Sequence, residues 1–286
     1  MTAIDLHTHS TVSDGADTPR EVVYRAAAAG LSAVALTDHD AVGGVAEAVA
    51  AGRECGIEVI PGVELSAQYD TELHVLGYFI DPGHPRLTEA LAEARRVRIL
   101  RQEETCRKLQ EQGLPVTMEE VRQAAGGGDV LCRAHFARIL TEKGAVPSVQ
   151  EAFRQYLSVG CYAYSNKQAL TPQEAVSVIR EAGGIPAVAH LHLIKKEDDE
   201  LRALLSSLIP HGLLAVEGYY TEYSPERGRR YRQMASELGL ALTGGSDYHG
   251  AGKPHIAIGR GTGDLFVPAE ILETLKKIHT LGKTAL

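Results

Sequence analysis

The sequence predicts an α/β barrel that carries an inserted helical lobe. Short apolar, strand-like runs alternate with helix-like segments over most of the 286 residues, a pattern typical of parallel βα units closed into a barrel. One long, highly charged stretch without strand signals interrupts this alternation. Acidic and histidine residues follow the ends of several strand-like runs, which is where barrels of this class carry their active sites.

Roughly seven strands are expected. Each strand-like run is short and apolar, and each is followed by polar or glycine residues, as expected for a buried strand. The eight candidate runs, from which roughly seven strands are expected, cover residues 3–6, 32–37, 57–61, 73–80, 185–189, 213–220, 240–244 and 256–259.

Helix signals separate these runs. Thr18 followed by Pro19 is a typical helix start and Gly30 is a typical stop, so a helix is expected between them. An alanine-rich helix is expected over residues 42–55. A second Thr-Pro start occurs at Thr171, after the charged stretch.

The charged stretch divides the chain into two predicted units. Residues 85–147 have a helical pattern throughout and no strong strand signal. We interpret them as an inserted helical lobe, or cap. Residues 1–84 and 148–286 are assigned to the barrel domain.

Composition limits the expected partners and location. A formal net charge of -8 disfavours a surface built to bind duplex DNA. The four cysteines have no paired close spacing, which favours free thiols in a reducing cytoplasm. The N-terminus shows no signal peptide and no run is apolar enough to span a bilayer, so a cytoplasmic protein without a membrane partner is expected. Nothing in the sequence predicts an oligomeric state.

Nine candidate metal ligands lie in or just after the strand-like runs. His7 and His9 are two residues apart, so both side chains project from the same face of an extended strand. Asp247 and His249 repeat this spacing after a Gly-Gly turn. The candidate ligands are His7, His9, Asp14, His39, Glu64, His74, His190, Asp247 and His249.

The carboxylates among these segments leave alternatives open. Asp14 lies in a Ser-Asp-Gly loop and could serve only as a turn residue. Asp40 follows His39 and could cap the helix that starts near Val42 or support the site from just outside the ligand set, and we prefer either role to that of a ligand. Glu64 lies deep in an apolar run, where a bare carboxylate is costly and a metal would satisfy it.

The number and type of these ligands predict a metal cluster. Nine ligands exceed what a single site needs, so two or three divalent ions are expected, with Glu64 as a bridge. Nitrogen and oxygen ligands without sulfur suit manganese, iron or zinc. Such a cluster favours hydrolysis of phosphate esters, because it can generate a nucleophile near neutral pH and clamp the attacking and leaving oxygens.

Six segments of the chain resemble the PHP (polymerase and histidinol phosphatase) family. They are DLHTHSTVSDG, ALTDHD, PGVELS, LHVLGY, the strand that ends at His190, and GGSDYH, and they cover residues 4–80 and 184–250. The resemblance implies a distorted (β/α)7 barrel with three divalent metals. It implies three ligand shells: His7, His9, Glu64 and Asp247; Glu64, His74 and His190; and Asp14, His39 and His249. All nine positions are filled, unlike those of a degenerate PHP module.

The inserted lobe resembles that of one subgroup, which dephosphorylates nucleoside 3',5'-bisphosphates and trims short RNA from the 5' end. This resemblance implies substrate-binding roles for Arg133, His135 and Lys167. The subgroup's Arg-Pro-His piece reads Arg133-Ala134-His135 here, with alanine in place of proline. A guanidinium such as that of Arg133 can bind phosphate through two parallel N–H donors. His192 corresponds to a phosphate-side histidine, so we expect it to bind substrate and act as a catalytic general acid.

The expected function is metal-dependent hydrolysis of a phosphate ester. The first candidate substrate is the 3'-phosphate of a nucleoside 3',5'-bisphosphate, and short 5'-phosphorylated RNA is a further one. Glu64 and Asp247 are the expected catalytic carboxylates. Two alternatives stay open: a histidinol-phosphate phosphatase with the same metal site, and a non-catalytic metal-binding interaction module.

Overall fold

The computed structural model describes residues 2–126, 131–165 and 168–284, and its central feature is a seven-stranded sheet curled into a nearly closed barrel. The predicted α/β barrel is confirmed. Neighbouring strands follow one another in chain order. The strands are β1 (Ile4–Thr8), β2 (Ala33–Leu36), β3 (Glu58–Ala67), β4 (Leu73–Tyr78), β5 (Ile185–Val188), β6 (Ala215–Tyr220) and β7 (Ala241–Gly245).

One strand departs from the expected parallel arrangement. β1, β2 and β3 are parallel to one another, as are β5, β6 and β7, but β4 is antiparallel to both of its neighbours. The connection from β3 to β4 spans only residues 68–72. A parallel pairing would need a crossover of a dozen or more residues, so a chain this short can only turn back on itself.

The barrel closes where β7 meets β1. The backbone N–H of Asp247 donates to the carbonyl of His7 over 2.9 Å, and Thr8 forms a parallel bridge with Tyr248. Gly245 permits this approach, because a Cβ atom there would lie 2.4 Å from the backbone nitrogen of His7. The C-terminal ends of strands β1 and β7 therefore lie side by side, and so do the residues that follow these strands.

Ten α-helices cover the sheet or form the inserted lobe within the described residues. Thr18 and Thr171 each accept a hydrogen bond from the third residue of their helix, as the Thr-Pro signals predicted. The helices are α1 (Pro19–Ala28), α2 (Val45–Cys55), α3 (Pro85–Glu111), α4 (Met118–Ala124), α5 (Arg133–Glu142), α6 (Val149–Ala152), α7 (Pro172–Glu181), α8 (Asp198–Leu208), α9 (Pro225–Glu237) and α10 (Ala269–Thr284).

Apolar side chains fill the barrel and one end of it. Residues from several strands, such as Leu6 and Leu76, pack in one buried cluster with Leu272 of α10. Lys276 of α10 pairs with Glu58 at the start of β3, so α10 covers the end of the barrel where the parallel strands begin. The opposite end, where those strands finish, remains available for a site.

The helical stretch forms a lobe with its own apolar core. Residues of α3, α4 and α5, including Leu109, Val121 and Phe136, pack together and are fully buried. Each such side chain contributes about 1.5–3 kcal/mol through burial. The cluster continues through Leu157 to Ala163, beyond the predicted boundary at residue 147. The division of the chain into barrel and insertion stays a prediction.

Two local expectations are wrong. Residues 256–259 form no strand; Ala257 instead pairs with Gly261 across a tight turn, in which Gly259 has a φ of +71°. Four residues that bend this sharply cannot extend along a neighbouring strand. The helix expected from residue 42 begins at Val45, after Gly44.

In the part of the chain that the structure describes, no helix has the length and apolar character needed to cross a membrane.

Candidate metal centre

The structure brings all nine candidate ligands together at the end of the barrel where the parallel strands finish. β1 carries His7 and leads directly to His9, while β3 carries Glu64 and β4 carries His74. The others follow strand ends or lie in the loop after β1. These are Asp14, His39, His190, Asp247 and His249. The barrel topology thus gathers residues that are far apart in sequence.

Glu64 lies at the centre of this cluster and is fully buried. Its Oε2 faces three histidines, at 3.3 Å from Nε2 of His7, 3.3 Å from Nε2 of His9 and 3.0 Å from Nδ1 of His39. Its Oε1 faces two others, at 3.0 Å from Nδ1 of His74 and 3.0 Å from Nε2 of His190. Burial raises the pKa of Glu64, but His39 and His7 outweigh burial and hold it well below its usual range. The carboxylate is therefore ionised and can bridge two cations.

Asp247 lies beside the two histidines with which it is predicted to share a metal ion. Its Oδ1 lies 3.2 Å from Nε2 of His9 and 3.5 Å from Nε2 of His7. Both imidazoles also face Glu64. The two histidines of the His-Thr-His segment thus point to the same place, as their spacing predicted.

A second group of ligand atoms lies around Asp14. Its Oδ1 is 3.3 Å from Nε2 of His249, and its Oδ2 is 3.9 Å from Nε2 of His39. His9 approaches the same carboxylate, with Nδ1 at 3.8 Å from Oδ1. One ligand atom from each of these four residues lies within 4.8 Å of the others. Asp14 faces the cluster and is more than a turn residue.

The donor atoms of this cluster fit divalent metal ions. Several buried imidazole nitrogens and one carboxylate oxygen form no hydrogen bond of suitable geometry among the described residues, although some of them lie only 3.0–3.3 Å apart. They are His7 Nε2, His9 Nδ1, His9 Nε2, His39 Nδ1, Glu64 Oε2 and His190 Nδ1. Buried polar atoms are normally paired, so this concentration of unpaired donor atoms indicates that cations belong between them. The set contains nitrogen and oxygen only, as manganese, iron and zinc accept.

Two of the ligand-bearing strand ends have strained backbones. His190 has a φ of +24° and Asp247 has a φ of +57°. Non-glycine residues rarely adopt positive φ, and such residues cluster at functional sites. The strain turns both side chains into the cluster at the points where β5 and β7 end.

Glu217 holds two of the histidines from behind, and it was not among the predicted site residues. It is fully buried in β6, with Oε1 at 2.9 Å from Nδ1 of His7. Its Oε2 accepts a hydrogen bond from the backbone N–H of His190 at 2.7 Å. The signal that could have identified it is the one used for Glu64, a carboxylate within an apolar strand-like run.

Lys253 and Tyr220 contact the outer oxygen of Asp247. Lys253 Nζ lies 2.6 Å from Asp247 Oδ2, and the Tyr220 hydroxyl donates to the same oxygen at 2.9 Å. Burial lowers the pKa of Lys253, but Asp247 outweighs it and raises the pKa above its usual value. No local motif marks either residue, because each reaches Asp247 only through the fold.

Asp40 has a partner other than the expected helix end. Gly44 occupies the cap position of α2, and no side chain caps it. The carboxylate of Asp40 instead accepts hydrogen bonds from the Ser66 backbone N–H at 2.9 Å and from buried Arg98 of α3. The capping alternative is therefore wrong, whereas a supporting role outside the ligand set remains, because Asp40 links the loop that carries His39 to the helical lobe.

A cavity of about 700 Å³ lies between the metal cluster and the helical lobe. Asp14, His39, His74 and His249 line its barrel side. Its lobe side includes the positively charged and aromatic side chains Arg98, Arg101, Arg133, Phe153 and Tyr164. The cavity therefore combines candidate metal ligands with cations, an arrangement suited to a phosphorylated ligand.

Arg133 lies in the lining of this cavity. It begins α5, and its Nη2 donates to Oε2 of Glu72 over 3.0 Å. The guanidinium also lies against the rings of Phe153 and Tyr164, with centroids at 5.9 Å and 5.3 Å. These contacts orient the guanidinium within the cavity lining.

The remaining predicted substrate-binding residues have different positions. His135 is buried beneath the lobe surface, where its Nδ1 accepts the backbone N–H of Cys132 at 3.1 Å. His192 lies beside the cluster, with Nε2 at 3.1 Å from Oε2 of Glu222, a residue of the cavity lining. Lys167 lies outside the described residues. Their roles stay predictions.

The family is shown by comparison with known proteins. The model of the PHP domain matches residues 5–252. The chain belongs to the PHP family. This result confirms the resemblance seen in the motifs.

Two relatives and one solved structure extend the PHP match over nearly the whole chain. The chain is 34% identical over 254 residues to a 3',5'-nucleoside bisphosphate phosphatase from Chromobacterium violaceum, covering 88% of this chain and 89% of that protein. It is 34% identical over 246 residues to a 5'-3' exoribonuclease from Haemophilus influenzae, and this match covers 86% of this chain and 89% of that protein. A solved amidohydrolase from Chromobacterium violaceum, with sulfate bound and no metal, has a TM-score of 0.88 at 32% identity and covers 96% of each chain.

This PHP protein is a metal-dependent phosphoesterase, an enzyme that hydrolyses phosphoric esters. The expected enzyme class is confirmed, and the alternative of a non-catalytic metal-binding module finds no support in these relatives. The cluster of His, Asp and Glu side chains accounts for the metal dependence of the family.

Proposed function

We propose that this PHP enzyme removes the 3'-phosphate from nucleoside 3',5'-bisphosphates. The observation that carries the proposal is a cavity of about 700 Å³ in which candidate metal ligands face the arginines of the helical lobe. A bisphosphate needs positive charge at two places, and this cavity has arginines on its lobe side and candidate ligands for metal ions on its barrel side. The bisphosphate phosphatase from Chromobacterium violaceum, at 34% identity, supports the same substrate class.

The cluster is proposed to hold two to three divalent ions, manganese, iron or zinc. Glu64 would bridge the first two ions, because its two oxygens face different histidines. The proposed shells are His7, His9, Glu64 and Asp247; Glu64, His74 and His190; and Asp14, His39, His249 and the neighbouring His9. When bound, the ions would activate water as a nucleophile and neutralise charge on the phosphoryl oxygens.

The surrounding side chains would position the substrate. Arg133 is proposed to bind a phosphate through its N–H groups, with Lys167 adding positive charge. His192 is proposed to donate a proton to the leaving oxygen, held in place by the carboxylate of Glu222. Phe153 and Tyr164 provide flat apolar surface on the lobe side of the cavity, which suits a nucleobase.

Short 5'-phosphorylated RNA is proposed as a further substrate. The specific observation in its favour is the 34% identity to the 5'-3' exoribonuclease from Haemophilus influenzae, close to that with the phosphatase. Both reactions hydrolyse a phosphate ester next to a second phosphate, so one cavity can serve both.

A substrate panel tests this proposal. Purified enzyme with manganese is assayed against adenosine 3',5'-bisphosphate, a short 5'-phosphorylated RNA and histidinol phosphate, with Glu64→Gln as the control for contaminating phosphatases. We expect phosphate and adenosine 5'-monophosphate from the bisphosphate. Turnover of histidinol phosphate alone would overturn the proposal in favour of a histidinol-phosphate phosphatase.

The variant Arg133→Ala tests the phosphate-binding role. Loss of a charged hydrogen-bond donor worth about 1.5–3 kcal/mol should raise KM roughly tenfold to hundredfold, with a smaller effect on kcat. The matched control is Arg138→Ala, which removes an exposed arginine from the same helix. An unchanged KM and kcat for Arg133→Ala would contradict its role.

A further inference from the structure

Arg101 is a buried arginine of α3 that lines the cavity beside the metal cluster. Only 8% of the residue is exposed. Two other arginines, Arg98 and Arg133, lie on the same side of the cavity, and each has a carboxylate partner. Arg98 pairs with Asp40, and Arg133 pairs with Glu72 at 3.0 Å.

Arg101 has no such partner among residues 2–126, 131–165 and 168–284. Its Nε is buried without a hydrogen-bond acceptor, and no described carboxylate lies within ion-pair distance of its guanidinium. Arg98 and Arg133 place positive charge near the guanidinium, and the smaller opposite effects of Cys132 and Asp40 do not offset it. Burial, followed by the positive charges of Arg98 and Arg133, lowers the pKa of Arg101 to about 9.

An unpaired buried cation is costly for the folded state. Replacing such a group by an apolar one is often neutral or stabilising, so packing alone does not explain an arginine at this position. A negatively charged ligand in the cavity would supply the missing partner. The guanidinium thus indicates an anion-binding position, because the residues that the structure describes leave it without a partner.

The cavity already has a place for one phosphate, at the candidate metal ligands Asp14, His39, His74 and His249 on its barrel side. Arg101 belongs to the opposite, lobe side, on a helix that contributes no metal ligand. An anion that contacts Arg101 therefore differs from the phosphoryl group held by the metals.

We propose that Arg101 binds a second phosphate group of the substrate, the one that is not hydrolysed. In adenosine 3',5'-bisphosphate this group is the 5'-phosphate. The inference rests on the proposed function and deepens it, since it makes Arg101 the residue that selects substrates with two phosphates over those with one. Arg133, already paired with Glu72, contributes less to this selection.

Kinetics with two substrates test the assignment. The variant Arg101→Met keeps the length of the side chain and removes its charge. We expect kcat/KM for adenosine 3',5'-bisphosphate to fall about tenfold to hundredfold, the loss expected for a charged hydrogen bond, mainly through KM. For adenosine 3'-monophosphate, which lacks the second phosphate, kcat/KM should not change. The control Arg96→Met removes an exposed arginine from the same helix and should affect neither substrate.

Thermal unfolding gives a readout that does not depend on turnover. Without ligand, Arg101→Met should unfold at the same temperature as the wild type or at a higher one, because an unpaired buried charge has been removed. Adenosine 5'-monophosphate should raise the unfolding temperature of the wild type and of Arg96→Met but not of Arg101→Met. Adenosine, which has no phosphate, should not raise the unfolding temperature of any of the three proteins.

The outcomes separate the inference from the proposed function. If the wild type hydrolyses neither nucleotide but adenosine 5'-monophosphate stabilises it only when Arg101 is present, the proposed reaction fails and the phosphate-binding role stands. A second outcome would overturn the inference while the reaction stands. In it, the wild type hydrolyses the bisphosphate, and Arg101→Met lowers kcat/KM equally for the bisphosphate and for adenosine 3'-monophosphate, or lowers neither. A lower unfolding temperature of ligand-free Arg101→Met would instead assign the residue a structural role.

Discussion

The histidines of the cluster depend on residues that are not themselves candidate ligands. Glu217 contacts Nδ1 of His7 and the backbone N–H of His190, and so orients two imidazoles from behind. A carboxylate on the far nitrogen fixes the tautomer of a metal-binding histidine and raises its basicity. The geometry of the centre is therefore set in part by residues one layer away from it.

The variant Glu217→Gln tests this dependence. Glutamine keeps the size and one acceptor but loses the charge, so we expect metal affinity to fall about tenfold to hundredfold. Metal content after dialysis against buffered manganese measures the effect, and added manganese should restore most of the activity. Full metal occupancy at the wild-type concentration would contradict the role.

Sequence reasoning succeeded at single residues when a local pattern constrained the side chain. His7 and His9 share one face because an extended strand alternates its side chains, and the structure shows both facing Glu64. The helix-cap alternative for Asp40 failed, because this carboxylate pairs with Arg98 of another element. A helix cap depends on residues that are close in sequence. Asp40 and Arg98 are 58 positions apart, so only the fold brings them together.

At the scale of elements, α3 connects the helical lobe to the barrel. Its Arg98 is buried and donates to Asp40, to Ser66 Oγ at 3.1 Å and to Cys132 Sγ at 3.6 Å. These partners belong to the loop after β2, to β3 and to the residue before α5. One guanidinium thus joins two parts of the barrel to the lobe.

The variant Arg98→Met tests this connection. It leaves the Asp40 carboxylate buried without its cation, which should lower the free energy of unfolding by about 3–5 kcal/mol. Urea unfolding followed by circular dichroism measures the loss. Adding Asp40→Asn should recover part of it, because the uncompensated charge is then gone. The exposed control Arg96→Met should change stability by no more than about 0.5 kcal/mol, and an equally small change in Arg98→Met would refute the connection.

α5 carries a second testable feature, the buried His135. Burial lowers its pKa to about 4, below an ordinary value of about 6.5. The unfolded chain therefore binds more protons than the folded one between these values. Stability is fully present above about pH 6.5 and is lost as the pH falls toward 4.

We expect this residue to destabilise the protein by about 2 kcal/mol between pH 7 and pH 5. His135→Gln, which cannot titrate but can still accept the Cys132 N–H, should show a smaller loss over the same interval. The measurement is urea unfolding of both proteins at the two pH values. Identical pH dependences would show that His135 is not buried in its neutral form.

At the scale of the whole molecule, the cavity arises because the lobe faces the strand ends. The barrel supplies candidate ligands, the lobe supplies Arg101 and Arg133, and neither unit has both. Substrate and metal ions would therefore bind where the two parts meet.

Metal removal should affect the whole fold. Stripping the ions leaves several ligand atoms buried without partners, so chelation should lower the unfolding temperature and abolish activity. Manganese at about one hundred times its Kd should return roughly 2.7 kcal/mol of stability. Scanning calorimetry with and without chelator measures this, with Glu64→Gln as a control that should respond less. The same unfolding temperature with and without chelator would argue against a metal centre at this site.

The amino-acid sequence by itself determined the class of the fold and the chemistry of the centre. Alternating apolar runs and helix signals are local, and so are the His, Asp and Glu residues at the strand ends. The comparisons confirm the family and the enzyme class that those motifs indicated.

Only the tertiary structure decided which distant groups meet. The antiparallel direction of β4 follows from a connection too short to cross over. The position of Glu217 behind His7, and that of Arg101 in the cavity without a described carboxylate partner, follow from packing between elements. Hydrogen bonding, burial and charge depend on neighbours in space, and a linear pattern records these only when the neighbours are also close in sequence.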